Sequence, residues 1–270
     1  MDILSPQNPR AKEWAQLLEK KHRDKQQKYI IEGIHLVQEA LCSGADVECV
    51  AFDVEQGIPG ELSNMTDIGG EAQWIGVSAA VIAKCTDTKT PQPVFAVVRK
   101  QKAAIGELLA RKNSLVIVLD GVQDPGNVGT IIRTADAAGA DGVLVGRGSA
   151  DIYNPKTIRS TMGSIFHLPV VEGDLLELLP QAKESGVRIV STSLQATSTC
   201  YGYDFTGPSW LLVGNEAKGV SPEAQRLVDD SLIIPMKGRA ESLNVAMAST
   251  VMLFEAMRQR EFGSIKHTYN

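Results

Sequence analysis

The sequence predicts an α/β protein whose larger, C-terminal part is a parallel sheet covered by helices on both faces. Three observations carry this. From Leu115 onward, short apolar runs (LVIVLDGV, GVLVG, LPVV, VRIVSTSL, WLLVG, LIIPM) alternate with helical segments, the rhythm of a buried parallel sheet. The first hundred residues have a different rhythm and read as a separate, smaller α/β unit. Three loops that follow apolar runs are rich in glycine, asparagine and charge, and parallel sheets bind ligands at the carboxyl ends of their strands.

Taken in order, residues 8–22 read as one amphipathic helix with Trp14, Leu17 and Leu18 on one side. YIIEG (29–33) is a strand entering a turn, 34–42 a helix closed by Gly44, and VECVAFD (47–53) a strand. Residues 57–76, rich in glycine and polar groups, receive no assignment. VSAAVIAKCTD is helical and PVFAVVRK (93–100) a strand. We therefore expect an N-terminal domain over 1–98, a charged, helix-prone linker over 99–113 and the sheet domain over 114–270. The latter's strands fall at 115–122, 142–146, 168–171, 187–194, 210–214 and 232–236. Its helices fall at 128–138, near 155–163, and at 174–185, 221–228 and 243–260.

With 270 residues, 43% of them apolar, the chain can build one large core or two ordinary ones. No run approaches the roughly 20 apolar residues of a membrane span. The opening MDILSPQNPR lacks a signal-peptide layout, so a cytoplasmic protein with no membrane partner is expected. Cys42, Cys49, Cys85 and Cys200 are scattered without a CxxC pair, and no HExxH occurs; reduced packing cysteines and no metal are expected. A net charge of −5 argues against a nucleic-acid binder, but its distribution is uneven. Arg10, Lys12, Lys20, Lys21, Arg23, Lys25 and Lys28 cluster near the start, and Arg99, Lys100 and Lys102 follow later. Each cluster reads equally as a solvated face or as an RNA contact.

The first loop, DGVQDPGNVGTIIR, starts with turn chemistry at Asp124-Pro125-Gly126; Asn127 is placed to cap the next helix. Arg133, among apolar Ile131, Ile132 and Ala135, is either an anion clamp or a surface salt bridge. The second, GNEAKGVSP, puts Asn215 and Glu216 at a strand's carboxyl edge facing the first loop, and Ser221-Pro222 is a helix start. In the third, KGRAESLNVA, Ser242 is placed to cap a helix from Leu243. Asn244 would then sit in the first turn, where asparagine is disfavoured, so a specific hydrogen bond is expected of it. GxxxxGK[ST] and GxSxG are absent, and Gly146-Arg147-Gly148 lacks the third glycine of a dinucleotide fingerprint, which weakens a nicotinamide-dependent oxidoreductase as the rival reading.

DGVQDPGNVGTIIRTADAAGADGVLV, LLVGNEAKGVSPE and LIIPMKGRAESLNVAMASTVMLFEAMRQR closely resemble, in order and spacing, the three motifs of the SpoU/TrmH branch of the SPOUT RNA methyltransferases. The resemblance runs from about Leu115 to Arg260. On YIIEGIHLVQEAL and the basic segment before it, the first half is similar to the small RNA-binding domain, related to a ribosomal protein, that precedes many of these enzymes.

The resemblance implies a deep trefoil knot, a homodimer through the C-terminal domain, and S-adenosyl-L-methionine as methyl donor without a metal. It implies donor binding around Thr192, Ser193, Leu194, Gly214, Asn215, Gly219, Ile234, Met236 and Leu243. The expected reaction is methyl transfer to a ribose 2′-hydroxyl, with Arg133 as the catalytic arginine and Asn127, Glu216, Ser242 and Asn244 around it. Arg10, Lys12, Lys20, Lys21 and Arg23 would contact RNA, and Val245, Met252, Leu253 and Met257 suit either a dimer interface or a buried helix. The appended domain favours ribosomal RNA, 23S, over transfer RNA. A transfer-RNA enzyme and a non-catalytic RNA-binding protein of the same fold are the alternatives.

Overall fold

Asn8 followed by Pro9 starts the first helix: the Asn8 side chain accepts from the Arg10 amide, and proline at the first helical position loses no hydrogen bond. A computed structural model of the chain describes residues 2–66, 72–101 and 103–263, so the expected basic position Lys102 lies outside the described residues. Two compact units result. One takes Met1–Lys102 with Asp151–His167, the other Ala103–Ala150 with Leu168–Asn270.

In the first unit the expected single helix is two, α1 (Pro9–Gln16) and α2 (Lys20–Gln26). The break has a cause that local periodicity does not show. The Arg23 guanidinium donates to the carbonyls of Leu17 and Leu18 at 2.8 and 2.7 Å, taking up acceptors just beyond the end of α1. Arg23 is 2% exposed and also pairs with Asp151 at 2.7 Å. Its expected role as an RNA contact is therefore corrected: this cation is spent inside the unit. Replacing Arg23 with methionine leaves the Asp151 carboxylate without its partner and should cost about 3–5 kcal/mol. Denaturant unfolding reads this directly, whereas a surface RNA contact would leave the midpoint unchanged.

The chain continues through β1 (Lys28–Glu32), α3 (Ile34–Cys42), β2 (Val47–Asp53), β3 (Gln73–Val77), α4 (Ala79–Cys85) and β4 (Val94–Arg99). These strands form a sheet ordered β1-β4-β2-β3, antiparallel except for the parallel β2–β3 pair. Strand β3 lies in the stretch that received no assignment. Ile30, Cys49, Ala51, Ile75, Phe95 and Val97 form one face and pack with Trp14, Leu17, Val81 and Ile82 from the helical segments. Trp14 meets Phe95 edge-on at 5.5 Å.

The helix-prone stretch before the second sheet contains α5 (Ile105–Leu109), whose Leu108 is fully buried in the second unit's core. Gly142 is required opposite it, since a Cβ there would come within 2.6 Å of Leu108 Cδ2. Next come β5 (Leu115–Asp120), α6 (Pro125–Ala137) and β6 (Gly142–Gly146). Residues 151–167, with α7 (Pro155–Thr161), then pack in the first unit: Tyr153 stacks near Tyr29 at 4.7 Å and Arg159 pairs with Glu32 at 2.9 Å. The second unit resumes with β7 (Val170–Gly173), α8 (Leu175–Glu184), β8 (Arg188–Thr192), the short β9 (Ser198–Thr199), β10 (Ser209–Gly214), α9 (Pro222–Gln225), β11 (Asp230–Ile233) and α10 (Val245–Phe262).

Its seven strands are ordered β7-β6-β5-β10-β8-β11-β9, and every recorded pairing is parallel. Every residue of β6 and β10 is buried, as their apolar runs require, and β5 is buried up to its last residue, Asp120. The Trp210 indole, enclosed in this core, donates to Ser114 Oγ at 3.0 Å. Because all strands point one way, the loops after β5, β8, β10 and β11 emerge at one edge of the sheet.

Candidate active site

The loop after β5 ends where Asp124 caps α6, its carboxylate accepting from the Asn127 amide at 3.0 Å. Asn127 was expected to be the cap; Asp124 takes that place, and the Asn127 side chain is left free to work outward. It donates to Glu216 Oε1 at 2.9 Å and accepts from Asn244 Nδ2 at 3.0 Å. Glu216 also accepts from the amides of Gln123 and Asp124, each at 3.1 Å. One carboxylate thus holds the first loop to the second, and Asn127 holds both to the third.

Burial opposes ionisation of Glu216, but the donors of Asn127, Gln123 and Asp124 outweigh it and hold its carboxyl below the usual carboxylate range. A depressed folded-state pKa means that the carboxylate's stabilisation is complete above the ordinary range and is lost as pH falls through the depressed value. At neutral pH Glu216 is therefore an anion engaged with three donors. Its hydrogen bonds tie the first loop to the second.

Asn244 also corrects the third loop. The cap of α10 is Asn244, not Ser242: its Oδ1 accepts from Ala246 and Met247 at 2.9 and 3.4 Å. Asparagine is among the best capping residues, and here the cap's amide group is the atom that reaches Asn127. The specific partner expected of Asn244 exists, for a reason the assumed helix start concealed. Ser242 and Leu243 precede the helix and line a cleft.

That cleft has a volume of about 1000 Å³. It is lined by Thr192, Ser193 and Leu194 at and after the end of β8, by Asn215, Glu216, Lys218 and Gly219 after β10, and by Ile234, Met236, Ser242, Leu243 and Asn244 after β11. The second loop is tightly built. Asn215 donates to the Gly121 carbonyl at 2.8 Å and accepts from the amides of Ala217 and Lys218 at 3.0 and 3.1 Å. The Asp120 carboxylate, at the end of β5, accepts from the Ser221 amide at 2.6 Å. Gly214 is buried beneath this loop; a Cβ there would lie 2.1 Å from the carbonyl carbon of Gly219.

Arg133 is absent from this group. It lies exposed on α6 between buried Ile132 and half-buried Thr134, and among the described residues it makes no ion pair. Six residues separate it from Asn127, about 9 Å along the helix axis. Sequence reasoning missed Asp120, Gln195 and Gln225, the last two lining the cleft. Only Asp120 carried a signal, a carboxylate ending an otherwise apolar buried strand. Among the described residues no group of three or more histidine, cysteine or acidic side chains could hold a metal.

The SpoU rRNA Methylase family model matches residues 114–254, and that of the MRM3-like substrate binding domain matches residues 8–96. A 23S rRNA (guanosine(2553)-2′-O)-methyltransferase of Bacillus subtilis, RlmP, is 40% identical over 93% of this chain and 97% of its own length. A 23S rRNA (uridine(2479)-2′-O)-methyltransferase of Streptomyces viridochromogenes is 31% identical over 96% of this chain and 93% of its own. The crystal structure of the SpoU methyltransferase AviRb from the same organism, in complex with the cofactor AdoMet, superposes with a TM-score of 0.86 at 30% identity, covering 94% of this chain and 98% of AviRb. An AdoMet-bound rRNA methyltransferase from Sinorhizobium meliloti gives 0.85 at 34% identity, covering 96% and 98%.

Proposed function

The chain belongs to the SpoU rRNA methylase family, and from that premise we propose that it transfers a methyl group from S-adenosylmethionine to a ribose 2′-hydroxyl of 23S ribosomal RNA. The observation that supports this most is the cleft. The loops carrying the resemblance are the ones tied together by Glu216, Asn127 and Asn244, and two of them, after β10 and β11, join the segment after β8 in lining a cavity large enough for a nucleoside with an amino-acid arm. The residues present suit the donor: Leu194, Ile234, Met236 and Leu243 offer apolar surface to an adenine, and Thr192 and Ser193 offer polar groups to a ribose. Bound there, the donor supplies an electrophilic methyl on a positively charged sulfur. The same tied loops would place the RNA hydroxyl in line with it.

Asn127 and Asn244 hold their amides in fixed orientation through each other and through Glu216. Arg133 supplies a guanidinium for the RNA phosphate and for charge developing on the ribose oxygen. Among the described residues the cleft lining holds no histidine, and its one carboxylate is Glu216. The hydroxyl proton therefore passes to an RNA phosphate or to water.

Arg133 does not line its own chain's cleft, so the reading includes a homodimer in which a second copy brings Arg133 to the site. Apolar side chains on α10 support it: Met247 and Phe254 are 50% and 40% exposed, on the helix that packs against α6. Met252 and Leu253, which suit either an interface or a buried helix by sequence, are buried within their own chain. The family's trefoil knot belongs to the same reading. The strand order supports it, since β8 lies between β10 and β11 and the chain must pass across it. No helix among the described residues is long and apolar enough to cross a membrane, and a cytoplasmic site of action is proposed with the rest.

Calorimetry tests the reading. S-adenosylmethionine should bind with one site per chain and nicotinamide dinucleotides should not; the reverse would favour the oxidoreductase. RNA grip by the first unit is assigned to Arg10, Lys12, Lys20 and Lys21, which are exposed or half-buried. Neutralising Lys12, Lys20 and Lys21 together should flatten the dependence of log K on log salt by about 0.7–0.9 per lost phosphate contact. An unchanged slope would remove α1 and α2 from the RNA interface.

A further inference from the structure

The chain is acidic, with a net charge of −5, yet it is read as acting on a polyanion. The second unit shows how its cations are distributed. Arg111, Arg147, Lys183, Arg188 and Arg258 are each paired with a carboxylate. Arg260 is spent on the backbone carbonyls of Phe205, Asn113 and Gly207. Among the described residues, those left without an ion pair include Lys218, Lys237 and Arg239, all exposed.

These three sit on the two loops that line the cleft after β10 and β11. Lys218 itself lines it, while Lys237 and Arg239 fall between the lining residues Met236 and Ser242. The Lys218 amide donates to Asn215 Oδ1 at 3.1 Å, and the turn around it is closed by two backbone hydrogen bonds in which Asn215 and Gly219 each donate to the other's carbonyl at 2.9 Å. A long cationic side chain is thus presented from a rigid turn beside Glu216, whose own charge is engaged by three donors. Lys237 and Arg239 flank Gly238 in a stretch without helix or strand.

We propose that Lys218, Lys237 and Arg239 form a phosphate-binding rim at the mouth of the cleft, gripping the RNA backbone on either side of the target nucleotide. The proposal rests on the methyltransferase reading and deepens it. RNA enters the site by contacts to its backbone, not to its bases, so the rim contributes affinity and placement without sequence preference. Overall acidity is then no obstacle, because many cations are neutralised by carboxylates while Lys218, Lys237 and Arg239 stand exposed and without an ion pair on the loops that line the cleft.

The test uses the full chain, deproteinised 23S ribosomal RNA as probe, and binding as readout. The triple variant Lys218→Ala, Lys237→Ala, Arg239→Ala should bind this RNA roughly tenfold more weakly, with the salt slope lowered by about 2. Its affinity for S-adenosylhomocysteine should be unchanged. Lys218→Arg with Lys237→Arg should bind RNA as the parent does. Arg147→Ala, at an exposed but paired cation, should have no effect. Unchanged RNA affinity and slope in the triple variant overturns the rim. So does a Lys218→Ala variant that binds S-adenosylhomocysteine more weakly but 5′-methylthioadenosine normally, because Lys218 would then hold the donor's carboxylate. If the parent chain binds no S-adenosylhomocysteine at all, it is the methyltransferase reading that fails.

Discussion

Arg133→Ala should bind S-adenosylmethionine as the parent chain does and should lose about 10³-fold in methyl transfer, on the order of 4 kcal/mol of transition-state stabilisation. Arg133 is not among the residues that line the cleft, and it is exposed on α6. Its removal therefore leaves folding and donor binding alone. Arg133→Lys should recover only part of the loss, because an ammonium lacks the planar pair of donors that a phosphate or a developing oxyanion accepts. Full turnover in Arg133→Ala would take this residue out of the reaction.

Gly214→Ala should produce the opposite profile, a folded chain that no longer holds the donor. A Cβ at this position would meet the carbonyl carbon of Gly219 and the amide nitrogen of Val220, both at 2.1 Å. Those are backbone atoms, so the loop carrying Glu216 and Lys218 must move. Overpacking of this kind costs about 1–3 kcal/mol, and a cost of that size taken from the cleft lowers donor affinity up to a hundredfold or so. Gly142→Ala gives the control, since its Cβ would meet Leu108 in the core, away from the cleft: stability should fall while the affinity of the folded chain is kept.

The two variants also test the proposed homodimer. Each should be inactive alone. Mixed and reassembled, they should regain activity, because a dimer of one Arg133→Ala chain and one Gly214→Ala chain combines an intact cleft with an intact arginine. If Arg133 serves its own chain's cleft, no mixed dimer holds a complete site, and the mixture stays dead.

Sequence reading succeeded where the cause of an element is local. Strands 47–53 and 142–146 are read with their observed bounds, because each is a short, mostly apolar run closed by Asp53 or Gly146. It failed where the cause is distant. The break between α1 and α2 depends on Arg23, and the burial of Arg23 depends on Asp151, 128 residues away. Strand β3 begins within a stretch of glycine and polar residues and is held by its pairing with β2. At the site, composition was enough to identify the three loops, but not which asparagine or aspartate caps which helix. The sequence places Asn127 and Ser242 as caps where Asp124 and Asn244 make the capping bonds, since all four residues are acceptable caps and composition does not choose among them.

The most direct measurement is a map of 2′-O-methyl nucleosides in 23S ribosomal RNA from cells with and without this chain, repeated with purified protein and S-adenosylmethionine on the unmodified RNA. One ribose should gain a methyl group in the presence of the protein, and Arg133→Ala should fail to add it. A methyl group found on a base, or an identical map in both samples, would contradict the assignment of the cleft to ribose methylation.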